Sequence, residues 1–131
     1  MRAYCDWYGA APSDAALEAL SRALLADPGR EGFQLLARDL RGRAVGFATV
    51  FWTWSTLRAA RVGTLNDLYV AEHARGSAAA ERLVREALAR VRDRGAVALE
   101  WQTAPDNARA QRFYERLGAE RSSWLDYSLP A

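Results

Sequence analysis

The chain contains neither lysine nor isoleucine, and all 18 of its strongly basic side chains are arginine. With so much alanine beside them, this composition points to a GC-rich coding sequence rather than to a surface selected for charge. The 16 acidic residues leave a formal net charge of +2, too small to argue for a nucleic-acid partner, and no block of like charge marks a tail. There is one cysteine, Cys5, so no internal disulfide can form, which fits a reducing compartment. No apolar run approaches the roughly 20 residues of a membrane span. The opening MRAYCDWYGA lacks the apolar centre of a secretory signal. A cytoplasmic location without a membrane partner is the expectation. His73 has no neighbours at metal-ligand spacing, so it reads as a surface residue and no metal is expected. There is no internal repeat, linker or low-complexity segment. At 131 residues the chain is near the commonest size of one domain, and 1–131 is expected to be one.

What is present is a sequence of punctuated elements. Residues 2–9 are aromatic-rich and compatible with a short helix. PSDAALEALSRALLADPG predicts a helix with Ser13 as N-cap, an apolar stripe of Leu17, Leu20, Leu24 and Leu25, and a stop at Pro28-Gly29. GFQLLAR and GRAVGFATVFWTW predict two strands joined through DLRGR, a hairpin with turn chemistry at Asp39 and Gly42. VGTLNDLYVA predicts a third strand. AAAERLVREALARVRDRG predicts a helix with Ala80, Leu83, Val84, Ala87, Leu88 and Val91 on one face and Gly95 as its stop. AVALEWQT predicts a fourth strand, DNARAQRFYERLGA a helix capped by Asp106 or Asn107 and ended by Gly118, and SSWLDYSL a final strand. The hairpins demand antiparallel pairing, while the strand–helix–strand unit demands a parallel crossover. The fold class expected is mixed α+β, a largely antiparallel sheet flanked by helices.

Between the third strand and the helix after it lies HARGSAAAERL. A helix start exposes unpaired N–H groups and a positive partial charge, so it attracts anions and phosphate above all. Gly76, Ser77, Ala78, Ala79 and Ala80 are small enough for a phosphate to approach the backbone, and Arg75 offers a bidentate, charge-assisted contact. The loop follows the carboxyl end of a strand, where α/β sheets place ligands. Arg75 as a plain surface residue and Ser77 as a plain cap fit the same letters.

LNDLYVAEHARGSAAAERLV resembles the acetyl-CoA-binding segment of the GNAT superfamily of N-acetyltransferases, whose pattern is Arg/Gln-x-x-Gly-x-Gly/Ala. Arg75, Ala78 and Ala80 occupy its defined positions. DNARAQRFYERLGA resembles the family's second signature, an Asn followed by Phe-Tyr-x-x-x-Gly, in the right order with a strand between. The resemblance runs from about Gly32 to Leu129, and FWTWSTLRAARVGTLNDLYV is most similar to the diamine and histone acetyltransferase branch. Two departures stand out. Ala78 replaces the central glycine, which costs on the order of 1 kcal/mol if the position needs positive φ and only a methyl group if it is helical; SAAAERL is a strong helix former. Also, MRAYCDWY resembles the end of the family's first helix with no strand before it, as if the first edge strand were missing or the assigned start too late.

The resemblance implies acetyl transfer from acetyl-CoA directly to a primary amine of a small molecule or protein, without an acyl-enzyme and without a metal. Cys5, far from both motifs, is a poor nucleophile candidate. An alkyl ammonium with a pKa of about 10 must lose a proton, the oxyanion needs a donor and the leaving thiolate a proton. Tyr114 matches the family tyrosine that protonates the thiolate; as one of a Phe113-Tyr114 pair it also suits a buried helix face. Asp67 stands where relatives carry the acidic group that draws off the amine proton, with Glu100 as a rival; a carboxylate bonded to a turn fits equally. Diamine-type enzymes have an acidic pair there, and here the pair is Asn66-Asp67. The backbone of Leu68, Tyr69 and Val70 is implied to pair with the pantetheine arm as an added strand would, the Val70 N–H polarising the carbonyl. Asn107 matches a cofactor-contacting asparagine and serves equally as an N-cap. Trp52, Trp54 and Trp101 are candidates for an acceptor pocket built by the first helices and the hairpin. A homodimer through SSWLDYSL is expected. The alternatives are a non-catalytic CoA-binding or protein-interaction module on the same fold and, from the arginine excess, a nucleic-acid binder, which the interleaved acidic residues disfavour.

Overall fold

The computed structural model describes residues 1–130. Its elements are α1 (Arg2–Trp7), α2 (Asp14–Ala26), β1 (Gly32–Arg38), β2 (Ala44–Ser55), β3 (Ala60–Val70), α3 (Ala79–Asp93), β4 (Leu99–Glu100) and α4 (Ala108–Arg116). The four strands form one sheet in the order β1-β2-β3-β4. The first two pairings are antiparallel and β3–β4 is parallel, which is the mixed α+β architecture expected. In this sheet β1 and β4 are the outer strands. Among the described residues no helix is long and apolar enough to cross a membrane.

Local chemistry explains most boundaries. The Ser13 hydroxyl accepts the Ala16 N–H at 3.1 Å and starts α2. Asn107 Oδ1 accepts the Ala110 N–H at 3.1 Å and starts α4, so of the two capping candidates it is Asn107 that caps. Asp39 closes the β1–β2 hairpin, its Oδ1 accepting the Arg41 and Arg43 amides. In α2, Leu24 is buried and Leu17 and Leu20 half-buried, but Leu25 is 79% exposed. It sits one step, about 100°, round the helix from Leu24 and leaves the stripe.

The core lies between the sheet and α3. Phe33, Leu35, Ala48, Val50 and Leu65 meet Leu83, Val84, Ala87 and Val91; Leu88 and Ala80 are half-buried at the margin. Full burial of one such large side chain stabilises by about 1.5–3 kcal/mol. Gly63 permits the close approach, since a Cβ there would come within 2.7 Å of Val91 Cγ2. The opposite face carries a polar row: Gln34 stands across from Thr49 and Thr49 across from Asp67, with Gln34 Nε2 donating to Thr49 Oγ1 at 3.3 Å. Helix α1 covers this row. It is fixed by Arg2, which donates to Asp14 Oδ1 at 2.7 Å and to the Pro12 carbonyl at 2.6 Å.

Two expected strands are corrected. The fourth, expected over 96–103, pairs only as Gly63↔Leu99 and Thr64↔Glu100. Immediately beyond, the β2–β3 register slips, with Thr49 opposite Asp67 and Val50 opposite Leu65. The extra residue, Asn66, bends β3 away from β4. The final strand over SSWLDYSL is absent. Residues 120–130 are exposed, without regular secondary structure, and a Gln102–Asp126 side-chain hydrogen bond tethers them. A two-residue β4 offers too little ladder to template another strand.

Candidate active site

The parting of β3 from β4 opens the site. The Ala71 N–H donates to Val45 O on the β2 side. By strand alternation the N–H groups of Val70 and Leu68 therefore turn away from β2, toward the gap, and that of Tyr69 turns toward β2. A cavity of about 130 Å3 lies here, lined by Leu65, Asn66 and Leu68 of β3, Trp101, Gln102 and Thr103 beyond β4, Asn107, Ala110 and Tyr114 at α4, and Tyr4 and Tyr8 from α1. Tyr114 packs on Trp101 with centroids 5.0 Å apart and on Phe113 at 5.2 Å. Burial, and secondarily Tyr8, raises the Tyr114 phenol above its ordinary pKa. It is therefore a protonated donor at neutral pH.

Ahead of α3, Gly76 takes φ +83° and delivers the chain to the helix. Ala78 has φ −71°, an ordinary conformation for an L-residue, so alanine in place of glycine brings no backbone strain. Ser77 Oγ donates to the Ala74 carbonyl at 2.7 Å and accepts the Ala79 N–H at 3.3 Å. The N–H groups of Ala78, Ala80 and Glu81 have no protein acceptor among the described residues, which leaves three donors at a helix start for an anion. Arg75 Nε donates to the Val70 carbonyl at 3.2 Å, and its guanidinium lies 4.8 Å from the Trp7 ring centroid. The arginine thus bridges the loop, the strand edge and α1.

Asp67 is 7% exposed and lies on the α1 face of β3, where Asn66 Nδ2 donates to its Oδ1 at 3.0 Å. Glu100, the rival carboxylate, is exposed and ion-paired with Arg58. Trp101 borders the cavity, but Trp52 and Trp54 do not. They pair with Gly63 and Arg61, at the end of β3 away from the gap. The Trp52 indole N–H donates to the Pro28 carbonyl at 2.9 Å while its ring tilts on Phe33, and Trp54 is 68% exposed beneath the Arg61 guanidinium. His73 is exposed. The residues that reasoning from sequence missed are Tyr4 and Tyr8. Their i, i+4 spacing, which places two aromatics on one helical face, was the available signal.

Residues 1–119 match the Acetyltransferase (GNAT) family, and the chain belongs to it. It is 32% identical over 120 residues to the uncharacterized N-acetyltransferase YhfO of Bacillus subtilis (strain 168), covering 92% of this chain and 78% of that one. Among solved structures, a crystal structure of a "probable acetyltransferase" superposes with a TM-score of 0.81 at 30% identity, over 98% of this chain and 85% of that one. An integron cassette protein from the Cole Harbour Salt Marsh metagenome matches with a TM-score of 0.78 at 25% identity, over 97% and 77%.

Proposed function

We propose that the protein is an acetyl-CoA-dependent N-acetyltransferase that moves the acetyl group directly to a primary amine. The observation that carries this reading is the cleft at the Asn66 bulge, lined by the β3 edge and the Tyr114 phenol, with a helix start bearing free N–H groups following β3 along the chain.

The loop from Gly76 to Ala80 would hold the diphosphate, with Arg75 completing the clamp. The turned-out amides of Leu68 and Val70 would pair with the pantetheine arm, and the Val70 N–H would polarise the thioester carbonyl. Asn107 spends Oδ1 on its cap, leaving Nδ2 for the arm. Tyr114 gives its proton to the departing thiolate. Asp67 receives the proton the acceptor ammonium must lose before attack. With Asn66 in place of a second carboxylate, a compact monoamine or a single exposed protein amine fits better than a polycation. We place the chain with the diamine and histone acetyltransferase branch that its FWTWSTLRAARVGTLNDLYV segment resembles. The exposed apolar residues of 124–129 fit a homodimer contact.

Calorimetry with acetyl-CoA, followed by thiol release on adding a set of small primary amines, tests the reading. Saturable binding with amine-dependent release supports it. Binding with no release from any amine points to a non-catalytic module, and absence of binding removes the acetyl-CoA assignment.

A further inference from the structure

The buried carboxylate and the cavity do not touch. Asp67 is absent from the cavity lining, whereas Tyr4 belongs to it and packs on Tyr69 and Phe47, which lie two residues along β3 and β2 from Asp67 and its partner Thr49, on the same sheet face. Tyr4 is held there by three ring contacts, with Tyr8 at 5.0 Å, Phe47 at 5.7 Å and Tyr69 at 6.2 Å. The titratable neighbours that act on its phenol are Asp67 from β3 and Tyr8 and Cys5 from α1. No arginine is among them.

We propose that the Tyr4 hydroxyl is the relay by which Asp67 takes the proton from the acceptor ammonium. The inference rests on the acetyltransferase reading above and assigns a catalytic role to a residue outside both signature motifs. The step balances without further reactants. One ammonium N–H bond breaks as its proton passes to the Tyr4 oxygen, while the original Tyr4 O–H proton passes to an Asp67 carboxylate oxygen. The products are a neutral amine, an unchanged phenol and a protonated Asp67, which later returns its proton to solvent. A relay must begin each turnover protonated. Burial first, and the Asp67 charge second, raise the Tyr4 ionisation far above the ordinary phenol range, so the hydroxyl is intact at every pH at which the amine is an ammonium.

The test compares wild type, Tyr4→Phe, Asp67→Asn and the double variant, using acetyl-CoA with ethanolamine, phenethylamine and an α-blocked lysine. Tyr4→Phe is expected to lower kcat about 100-fold with acetyl-CoA affinity unchanged. The double variant should be no slower than the slower single variant, as expected of groups acting in series. The pH profile separates a relay from mere packing. Without the relay only free amine reacts, so kcat for Tyr4→Phe keeps climbing toward about pH 10, above the point where wild type levels off. Wild-type kcat and profile in Tyr4→Phe, or additive effects in the double variant, would overturn the proposal. If the wild-type protein acetylates none of the amines, it is the acetyltransferase reading that fails, and ultraviolet tyrosine titration decides the Tyr4–Asp67 link separately. The last tyrosine to ionise should vanish in Tyr4→Phe and ionise at lower pH in Asp67→Asn; indifference to Asp67→Asn refutes the link.

Discussion

Trp101 and Tyr114 face each other where β3 and β4 part, their ring centroids 5.0 Å apart and their planes tilted by 55°. The indole fixes the phenol at the cavity wall, so the hydroxyl can be removed without moving the ring. Tyr114→Phe is therefore expected to keep its fold and its acetyl-CoA affinity while kcat falls by about 100-fold. Steady-state kinetics alongside calorimetry check the split. A Tyr114→Phe variant with full turnover takes the phenol out of the mechanism.

The same burial predicts a loss of stability in alkali. An unfolded phenol ionises at about pH 10, but Tyr4 and Tyr114 hold their protons to higher pH in the native chain. Above about pH 10 the native state then binds more protons than the unfolded state. Stability is intact below that pH and falls as pH rises through it. The slope is at most about 1.4 kcal/mol per pH unit for each phenol, and less in practice because both rings are partly solvated. Urea midpoints across this range should decline more steeply for wild type than for Tyr4→Phe, which keeps only the Tyr114 contribution; equal slopes in the two proteins count against the buried-phenol account.

What could be read from the sequence and what could not divide along a physical line. The caps at Ser13 and Asn107 and the apolar stripe of α3 are local, set by hydrogen bonds and periodicity within a few residues, and they were legible. So was the loop ahead of α3, because its small residues and its place after a strand are chemistry written in order along the chain. The shortness of β4 was not legible. AVALEWQT has a strand's letters, but its partner β3 turns away at Asn66, and a bulge is a property of two strands in register rather than of either sequence. The tryptophans misled for a related reason: Trp52 and Trp54 share a face, but which end of the sheet opens is decided by where β3 and β4 separate. Tyr4 and Tyr8 carried a weak helical signal in a six-residue helix and gained meaning only when α1 packed over Asp67.

Two backbone positions bracket how much the fold tolerates an added or removed methyl group. Gly32 has φ +142°, and a Cβ there would lie 2.0 Å from the Val50 carbonyl oxygen. Gly32→Ala should lose at least about 2 kcal/mol, read as a lowered urea midpoint. Ala78 sits at ordinary φ as the N-cap of α3, a place where glycine is slightly preferred over alanine. Ala78→Gly, which restores the family's central glycine, should shift stability by no more than about 0.5 kcal/mol and acetyl-CoA affinity by no more than about threefold, equivalent to ~0.7 kcal/mol. A tenfold gain in affinity would show that the Ala78 methyl obstructs the diphosphate.

The tail supplies the last test. Trp124 is 85% exposed, Tyr127 90% and Leu129 94%. No residue from 120 onward makes a backbone–backbone hydrogen bond among the described residues. Arg121 is tied to the body through Glu115 at 2.5 Å and Gln111 at 3.2 Å, and beyond it the Gln102–Asp126 side-chain hydrogen bond is the one further tie among the described residues. Ending the chain after Arg121 removes apolar surface without breaking a ladder or opening the core, so its thermal midpoint as a monomer should stay within about 4 °C of the full chain, the equivalent of under ~1 kcal/mol. If those aromatics cover each other between two copies, sedimentation should show a dimer for the full chain and a monomer for the shortened one, and the dimer's midpoint should rise with protein concentration. A full-length chain that stays monomeric at high concentration rules out the self-pairing of this segment. A shortened chain that unfolds far earlier at equal dilution would instead mean that the segment beyond Arg121 supports the monomer.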